Sequence, residues 1–272
     1  MASRGTSRRG GSACGVSSRA TSFAPCPRPS RRWRAEPLAK SRPGRGAAGD
    51  GGAGERREPG IGSGVGKAAA AARVHALRAA LAHDLMRAGR VLERRGMIVA
   101  AEGDLSARIT PDRILITRRG RRKGDLTPRD FVDLALGEPL DSQGRVAAST
   151  EHRAHLAAYT VRPDVEAVVH AHPPGLSAFA IRGEAPNLKA LDEARDAIHA
   201  LAVVPYAPSG TESLAKAVAA ALLGQEGTPA CDVLILRSHG ALAVGGSVEE
   251  ALSRLEIAEH LAMTLLLAER LG

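Results

Sequence analysis

Aromatic residues make up only 2 % of the 272-residue chain, so the base-stacking surface that single-strand nucleic-acid binders use is hard to assemble. Cysteine is almost as scarce. Cys14, Cys26 and Cys231 are the whole set, which leaves no disulfide framework and no CxxC metal site and suits a reducing, cytoplasmic setting. No stretch of 18 residues is free of charge, so a membrane-spanning helix is excluded at this level. Acidic residues are missing from positions 1–35 and histidine from 1–67.

These last two absences divide the chain. Its formal charge of +9 taken whole points to nucleic acid or an acidic membrane surface. Residues 1–67, however, hold 14 basic and 4 acidic residues, and residues 68–272 hold 24 and 25. The basicity belongs to the tail, so nucleic acid is not the expected partner of the remainder. The tail mixes Arg, Gly, Ser and Pro without apolar periodicity and is expected to be disordered. A transit peptide, a nucleic-acid-binding arm around Arg31, Arg32, Trp33 and Arg34, and a dispensable extension all remain open for it. Gly60–Lys67 is not a phosphate loop, because GxxxxGK[ST] needs Gly at 61 and Ser or Thr at 68, where Ile61 and Ala68 stand; it reads as a linker.

Residues 68–272 fit one domain. Val74, Leu77, Leu81, Leu85 and Leu92 near helical spacing, with Gly96 after Arg94 and Arg95, predict a helix over 68–95. Short β-type runs at 105–109, 113–117 and 131–136, separated by turn residues, predict an antiparallel meander. Helices over about 149–161, after Pro174, and over 210–223 and 247–270 then alternate with strands at 165–171, 201–206, 233–236 and 241–244. Ser209–Glu212 and Ser247–Glu250 both match the capping box. The expected architecture is α/β: a central, partly antiparallel sheet flanked by helices.

The most informative segment is Val168-Val-His170-Ala-His172-Pro. Side chains two apart on a strand share a face, so both imidazoles project together where Pro173 and Pro174 end the pairing. Taken alone, this is equally a pair of edge histidines. Two features add to it: Ser149-Thr-Glu151 opens the preceding helix, and Ser238-His239-Gly240 ends a later apolar strand. One carboxylate and three imidazoles make a tetrahedral N/O set suited to zinc, and histidine-rich sites without thiolates are typical of catalytic metals.

With these residues in hand, the chain resembles the class II aldolase/adducin family, in the manner of its L-fuculose-phosphate aldolase-like members, over nearly all of residues 75–268. The motifs that carry the resemblance occur in order: Gly103-Asp-Leu-Ser106, Ile116–Gly120, Ala148-Ser-Thr-Glu151 with His155, Ala167–His172, Val204–Thr211 and Leu236-Arg-Ser-His-Gly240. The resemblance implies a three-layer α/β/α domain, a Zn2+ ion on His170, His172 and His239, and Glu151 as fourth ligand and general base. It also implies a homotetramer with its sites at subunit interfaces. The implied activity is that of a lyase cleaving or decarboxylating a small phosphorylated ketose or hydroxy-keto compound through a metal-stabilised enediolate, with Glu151 moving the proton at the adjacent carbon. A sugar-phosphate 4-epimerase or dehydratase on the same scaffold is the alternative, and a non-catalytic adducin-like interaction domain a third reading that retention of all four ligands disfavours.

Phosphate recognition is where the sequence departs from the family pattern. The positions implied to hold phosphate are Gly103, Asp104, Thr117, Arg119, Gly120, Ser149 and Thr150. Asp104 stands where phosphate-binding relatives carry Asn, and an anion there repels phosphate unless neutralised. Arg118, Arg119, Arg121, Arg122 and Lys123 either neutralise it, form the anion pocket themselves, or make a solvated loop with Asp104 salt-bridged at its foot. The family's inner tyrosine has no counterpart in 187–191. Of the remaining candidates, His155 lies one turn after Glu151 and is expected to orient or pack. His152 is expected to be solvated, and His75, His83, His199 and His260 to lie at the surface or an interface. Tyr206 and Thr211 frame a turn, and Cys231 reads as an apolar filler.

Overall fold

The computed structural model describes residues 62–137, 147–223 and 230–271; the expectations for the basic tail before residue 62 lie outside them. Helix α1 runs Gly62–Arg94 and thus starts inside the Gly-rich stretch that reads as a linker. The Ala-rich sequence that follows propagates the helix backwards once its nucleus is fixed by packing further on, where Ala82, Leu85, Ala88 and Leu92 are buried. It ends at Gly96, whose φ of +67° lets its N–H and that of Met97 reach the Glu93 and Leu92 carbonyls.

Seven strands follow, β1 (Asp104–Thr110), β2 (Arg113–Thr117), β3 (Phe131–Ala135), β4 (Ala167–Ala171), β5 (Leu201–Val204), β6 (Val233–Leu236) and β7 (Gly240–Gly245). They form one sheet in the order β3-β2-β1-β4-β7-β6-β5. Every pairing is antiparallel except β5 with β6. Between them lie α2 (His152–Val161), α3 (Pro174–Arg182), α4 (Asp192–Ala197), α5 (Glu212–Leu223) and α6 (Val248–Ala268). The short α4 breaks a stretch in which the apolar pattern gives no helix; it closes against α6 through the fully buried Ala194.

The period-2 alternation of the strands assigns each residue to one of two cores. Leu105, Ala107, Leu115, Ala167, Val169, Ala241 and Ala243 pack with α1, α3 and α6. Ile114, Ile116, Val168, Leu234, Leu242 and Val244 pack with α2 and α5. The result is the three-layer α/β/α sandwich that the family resemblance implies, its sheet largely antiparallel, each large buried side chain contributing roughly 1.5–3 kcal/mol. Among the described residues no helix is long and apolar enough to cross a membrane.

The capping predictions divide. Ser247 accepts from the Glu250 N–H at 3.1 Å, while Glu250 reaches back to the Gly246 N–H rather than to that of Ser247. At α5 the prediction fails: Thr211 Oγ1, not Ser209, accepts from an N–H of the first turn, that of Leu214. Ser209 is taken by a different partner, described below.

Candidate metal centre and active site

Strand β4 alternates Val168 and His170 towards the α2/α5 layer, and His172 follows just past the strand end. In the register, His170 lies opposite Asp104 on β1 and Leu242 on β7. The third imidazole arrives from the β6–β7 turn, where Ser238 adopts φ +57°; this left-handed residue, uncommon for a side chain larger than Gly, turns the chain so that His239 faces the β4 pair. The three ring centroids are 4.8–5.1 Å apart, and one ligand atom from each histidine lies within 4.8 Å of the others.

Several observations fit this cluster to a metal. The His170 Nδ1–H donates to the Ala241 carbonyl at 2.8 Å, which fixes the tautomer and leaves Nε2 as the lone-pair nitrogen. His170 Nε2 and His172 Nε2 are 3.2 Å apart, close to the spacing of about 3.4 Å that two nitrogens take on a tetrahedral zinc. His239 Nδ1 is buried without a hydrogen-bond partner among the described residues. Burial pushes all three imidazoles below their ordinary pKa, and their mutual proximity adds to it, so the neutral, ligating form is favoured at pH 7. Glu102, which the sequence pattern does not single out, places Oε2 3.5 Å from His172 Nδ1.

Glu151 is buried at the N-terminus of α2. It makes no cap for its own helix. One carboxylate oxygen, Oε1, lies 3.7 Å from His239 Nε2 and accepts the Ser209 hydroxyl. The other accepts the Gly210 N–H at 3.1 Å. The structure therefore brings His170, His172 and His239 together as a group that could hold a metal ion and sets Glu151 beside them, held by the β5–α5 turn.

The anion subsite differs from the sequence expectation. Asp104 is not paired with the arginine loop. It is buried within a chain of hydrogen bonds: His155 Nε2 donates to Oδ1 at 2.6 Å, Ser149 Oγ donates to Oδ2, and His155 Nδ1 meets Ser106 Oγ at 2.6 Å, itself 2.8 Å from the Tyr159 hydroxyl. One tautomer satisfies the whole chain, with protons running Tyr159 to Ser106 to His155 to Asp104. Burial alone would raise the Asp104 pKa, but the attraction and hydrogen bond of His155, aided by His170 and Ser149, hold it well below the usual carboxylate range. Burial pushes the Tyr159 phenol up.

The loop cations are committed elsewhere. Arg121 pairs with Asp130 and Arg122 with Glu93. Arg118 Nε donates to the Arg129 carbonyl. Lys123 is buried, its Nζ donating to the Ala101 and Arg121 carbonyls. The side chain of the exposed Arg119 makes no hydrogen bond or ion pair among the described residues. Thr117 is buried with its hydroxyl accepting from the Leu105 N–H, and Gly120 and Thr150 are at the surface. Gly103, at φ +70°, serves by its shape: a Cβ there would lie 2.7 Å from the His170 carbonyl. His152 is not solvated as its helical position suggests; it is buried, with Nδ1–H donating to the Ser149 carbonyl at 2.8 Å.

The family model for the class II aldolase and adducin N-terminal domain matches residues 83–266. The chain belongs to this family. Methylthioribulose-1-phosphate dehydratase of Methylococcus capsulatus is 34 % identical over 190 residues, covering 66 % of this chain and 90 % of that protein. The 5-methylthioribulose-1-phosphate/5-deoxyribulose-1-phosphate aldolase of Rhodospirillum rubrum is 33 % identical, covering 68 % and 80 %. Among solved structures, L-fuculose-1-phosphate aldolase of Thermus thermophilus superposes with a TM-score of 0.60 at 30 % identity, covering 71 % of this chain and 95 % of that one. These relatives are lyases, and the chain is a metal-dependent lyase of this family with a three-histidine cluster that could hold a metal ion.

Proposed function

We propose that the chain is a zinc-dependent lyase acting on a small hydroxy-carbonyl compound that carries an anionic group, with His170, His172 and His239 holding the metal and Glu151 moving the proton. The observation that carries this reading is the convergence of three neutral imidazoles with a buried carboxylate 3.7 Å from one of them. Zinc, when bound, supplies a Lewis acid that polarises a carbonyl and its neighbouring hydroxyl. The protein's part is to bind, orient and shuttle protons. Glu151, buried and fed by the Ser209 hydroxyl and Gly210 N–H, is positioned to take or return the proton at the carbon next to the carbonyl. Ser149 spends its hydroxyl on Asp104, so we assign recognition of the anionic end of the substrate, phosphate or carboxylate, to the exposed Arg119, whose side chain makes no ion pair among the described residues.

Retro-aldol cleavage, decarboxylation and dehydration each need negative charge to build on the same pair of substrate oxygens. A second reading, dehydration of a ketose phosphate, is supported by the dehydratase names of relatives such as the one from Methylococcus capsulatus. A homotetramer in the cytoplasm is the setting we propose for either. The experiment is a panel of sugar phosphates, keto acids and acyloins offered to zinc-loaded wild type and Glu151→Ala, with products identified by mass spectrometry. C–C cleavage gives two carbonyl fragments, and dehydration gives one product lighter by a water molecule. Equal behaviour of wild type and variant on every compound would remove Glu151 from the reaction.

A further inference from the structure

The turn between β5 and α5 offers two hydrogen-bond donors to Glu151, one to each oxygen. This turn is built against the start of α2. Gly210 sits at φ +71°, and a Cβ on it would fall 2.7 Å from Thr150 Cγ2 and 3.0 Å from the Thr150 carbonyl. Its own carbonyl accepts from Arg153 Nη1 at 2.8 Å. Thr150 and Arg153 flank Glu151, so the segment that presents the carboxylate also clamps the donors that receive it. Thr211 closes the turn by donating to the Pro208 carbonyl at 2.6 Å.

We propose that Ser209 and Gly210 form a dock for the Glu151 carboxylate, and that Ser209 is a positioning residue setting the balance between two placements of Glu151: on the metal held by the three histidines, or in the dock. The inference rests on the reading of Glu151 in the preceding subsection. Two donors that grip the carboxylate compete directly with the metal for the same lone pairs, and a docked Glu151 leaves a coordination position to substrate. Oε1 lies between the two partners, near both the Ser209 hydroxyl and His239, so exchange needs only a side-chain rotation.

The consequence runs against intuition: deleting a hydrogen bond should tighten metal binding. In Ser209→Ala the dock keeps only the Gly210 N–H, Glu151 shifts towards the metal, and zinc affinity measured against a chromophoric chelator should rise roughly tenfold, the scale of a charge-assisted hydrogen bond. kcat should fall with little change in KM, and Ser209→Thr, which keeps a hydroxyl, should restore both. In a Glu151→Ala background, Ser209→Ala should change zinc affinity not at all. A second readout needs no metal: the Gly210 amide, deprived of its acceptor, should exchange its hydrogen at least about tenfold faster in Glu151→Ala than in wild type. Gly210 exchange unaltered by Glu151→Ala, or a Ser209→Ala effect on zinc affinity that persists without Glu151, would overturn the dock. A wild-type protein that binds no zinc while Gly210 remains protected by Glu151 would instead overturn the metal reading and leave the dock standing.

Discussion

Replacing His155 with Leu tests the buried chain that anchors Asp104. His155 is fully buried and Asp104 is 2 % exposed, joined by a 2.6 Å hydrogen bond, and the other side-chain donor to Asp104 is Ser149. Leu approximates the volume of the imidazole but cannot donate, so Asp104 is left as a buried carboxylate with one of its two oxygens unpaired and Ser106 loses an acceptor. Leaving a buried carboxylate short of a hydrogen-bond donor costs about 3 kcal/mol. For a folded region of this size that corresponds to a melting temperature lower by about 6–12 °C. The pH dependence has a definite sign. In wild type the Asp104 pKa is held below its unfolded value, so the stability it brings is present above about pH 4 and is lost as pH falls from there through the folded value. In His155→Leu burial is uncompensated and pushes the carboxyl up, so the deficit is largest near neutrality and shrinks as the solution is acidified. Asp104→Leu/His155→Leu should recover at least about 2 kcal/mol relative to the sum of the single variants. Calorimetry at several pH values measures all of this. A Tm change under about 3 °C for His155→Leu, or strictly additive single variants, would refute the claim that the two residues act as a pair.

Three further outcomes follow from particular contacts. Gly240→Ala would place a Cβ 2.5 Å from His172 Cδ2 and 2.6 Å from the Ala171 carbonyl, so it should displace the His172 ring and weaken zinc binding by about 10–100-fold, the range for disturbed ligand support, as read by chelator competition. Glu259 accepts the N–H groups of Gly175 and Leu176 at the start of α3, both at 2.8 Å, yet burial outweighs these bonds and raises its pKa. Its contribution is therefore fully present below the unfolded pKa and lost as pH rises through the folded one, so the stability of wild type relative to Glu259→Gln should decline from about pH 4 upward; a difference that is flat or grows with pH contradicts this. Arg119→Ala should raise KM for anionic substrates roughly tenfold or more with kcat little changed, since the cation binds ground and transition state alike; steady-state kinetics on the active substrate checks it.

The convergence of the three histidines was legible in the sequence because strand periodicity is rigid: His170 and His172 must project together, and Ser238-His239-Gly240 reads as a turn at the end of an apolar run. The sheet and its two helical layers were legible for the same reason. What pattern alone did not reveal are the contacts made between elements. Asp104 next to a basic loop reads as its counter-ion, but the even-numbered residues of β1 face α2, so the partner is His155 from 51 residues away. Ser209 three residues before Glu212 reads as a helix cap, and only the packing of the β5–α5 turn on Thr150 and Arg153 hands its hydroxyl to Glu151. Local chemistry there was overruled by a stronger acceptor, a buried carboxylate. His152 was misplaced because helical position alone does not say which side of a helix the rest of the fold covers. The start of α1 within a Gly-rich run shows the converse, a weak local preference overridden by cooperativity along an Ala-rich helix.

The central claim, that three histidines from β4 and the β6–β7 turn form a metal centre, is tested most directly by equilibrium dialysis against zinc with metal quantified per chain. Wild type should bind one tight equivalent, and His170→Ala and His239→Ala should each lose it while keeping the wild-type far-ultraviolet circular dichroism spectrum. A wild-type protein that takes up no tight equivalent, or histidine variants that bind zinc as tightly as wild type, would contradict the account.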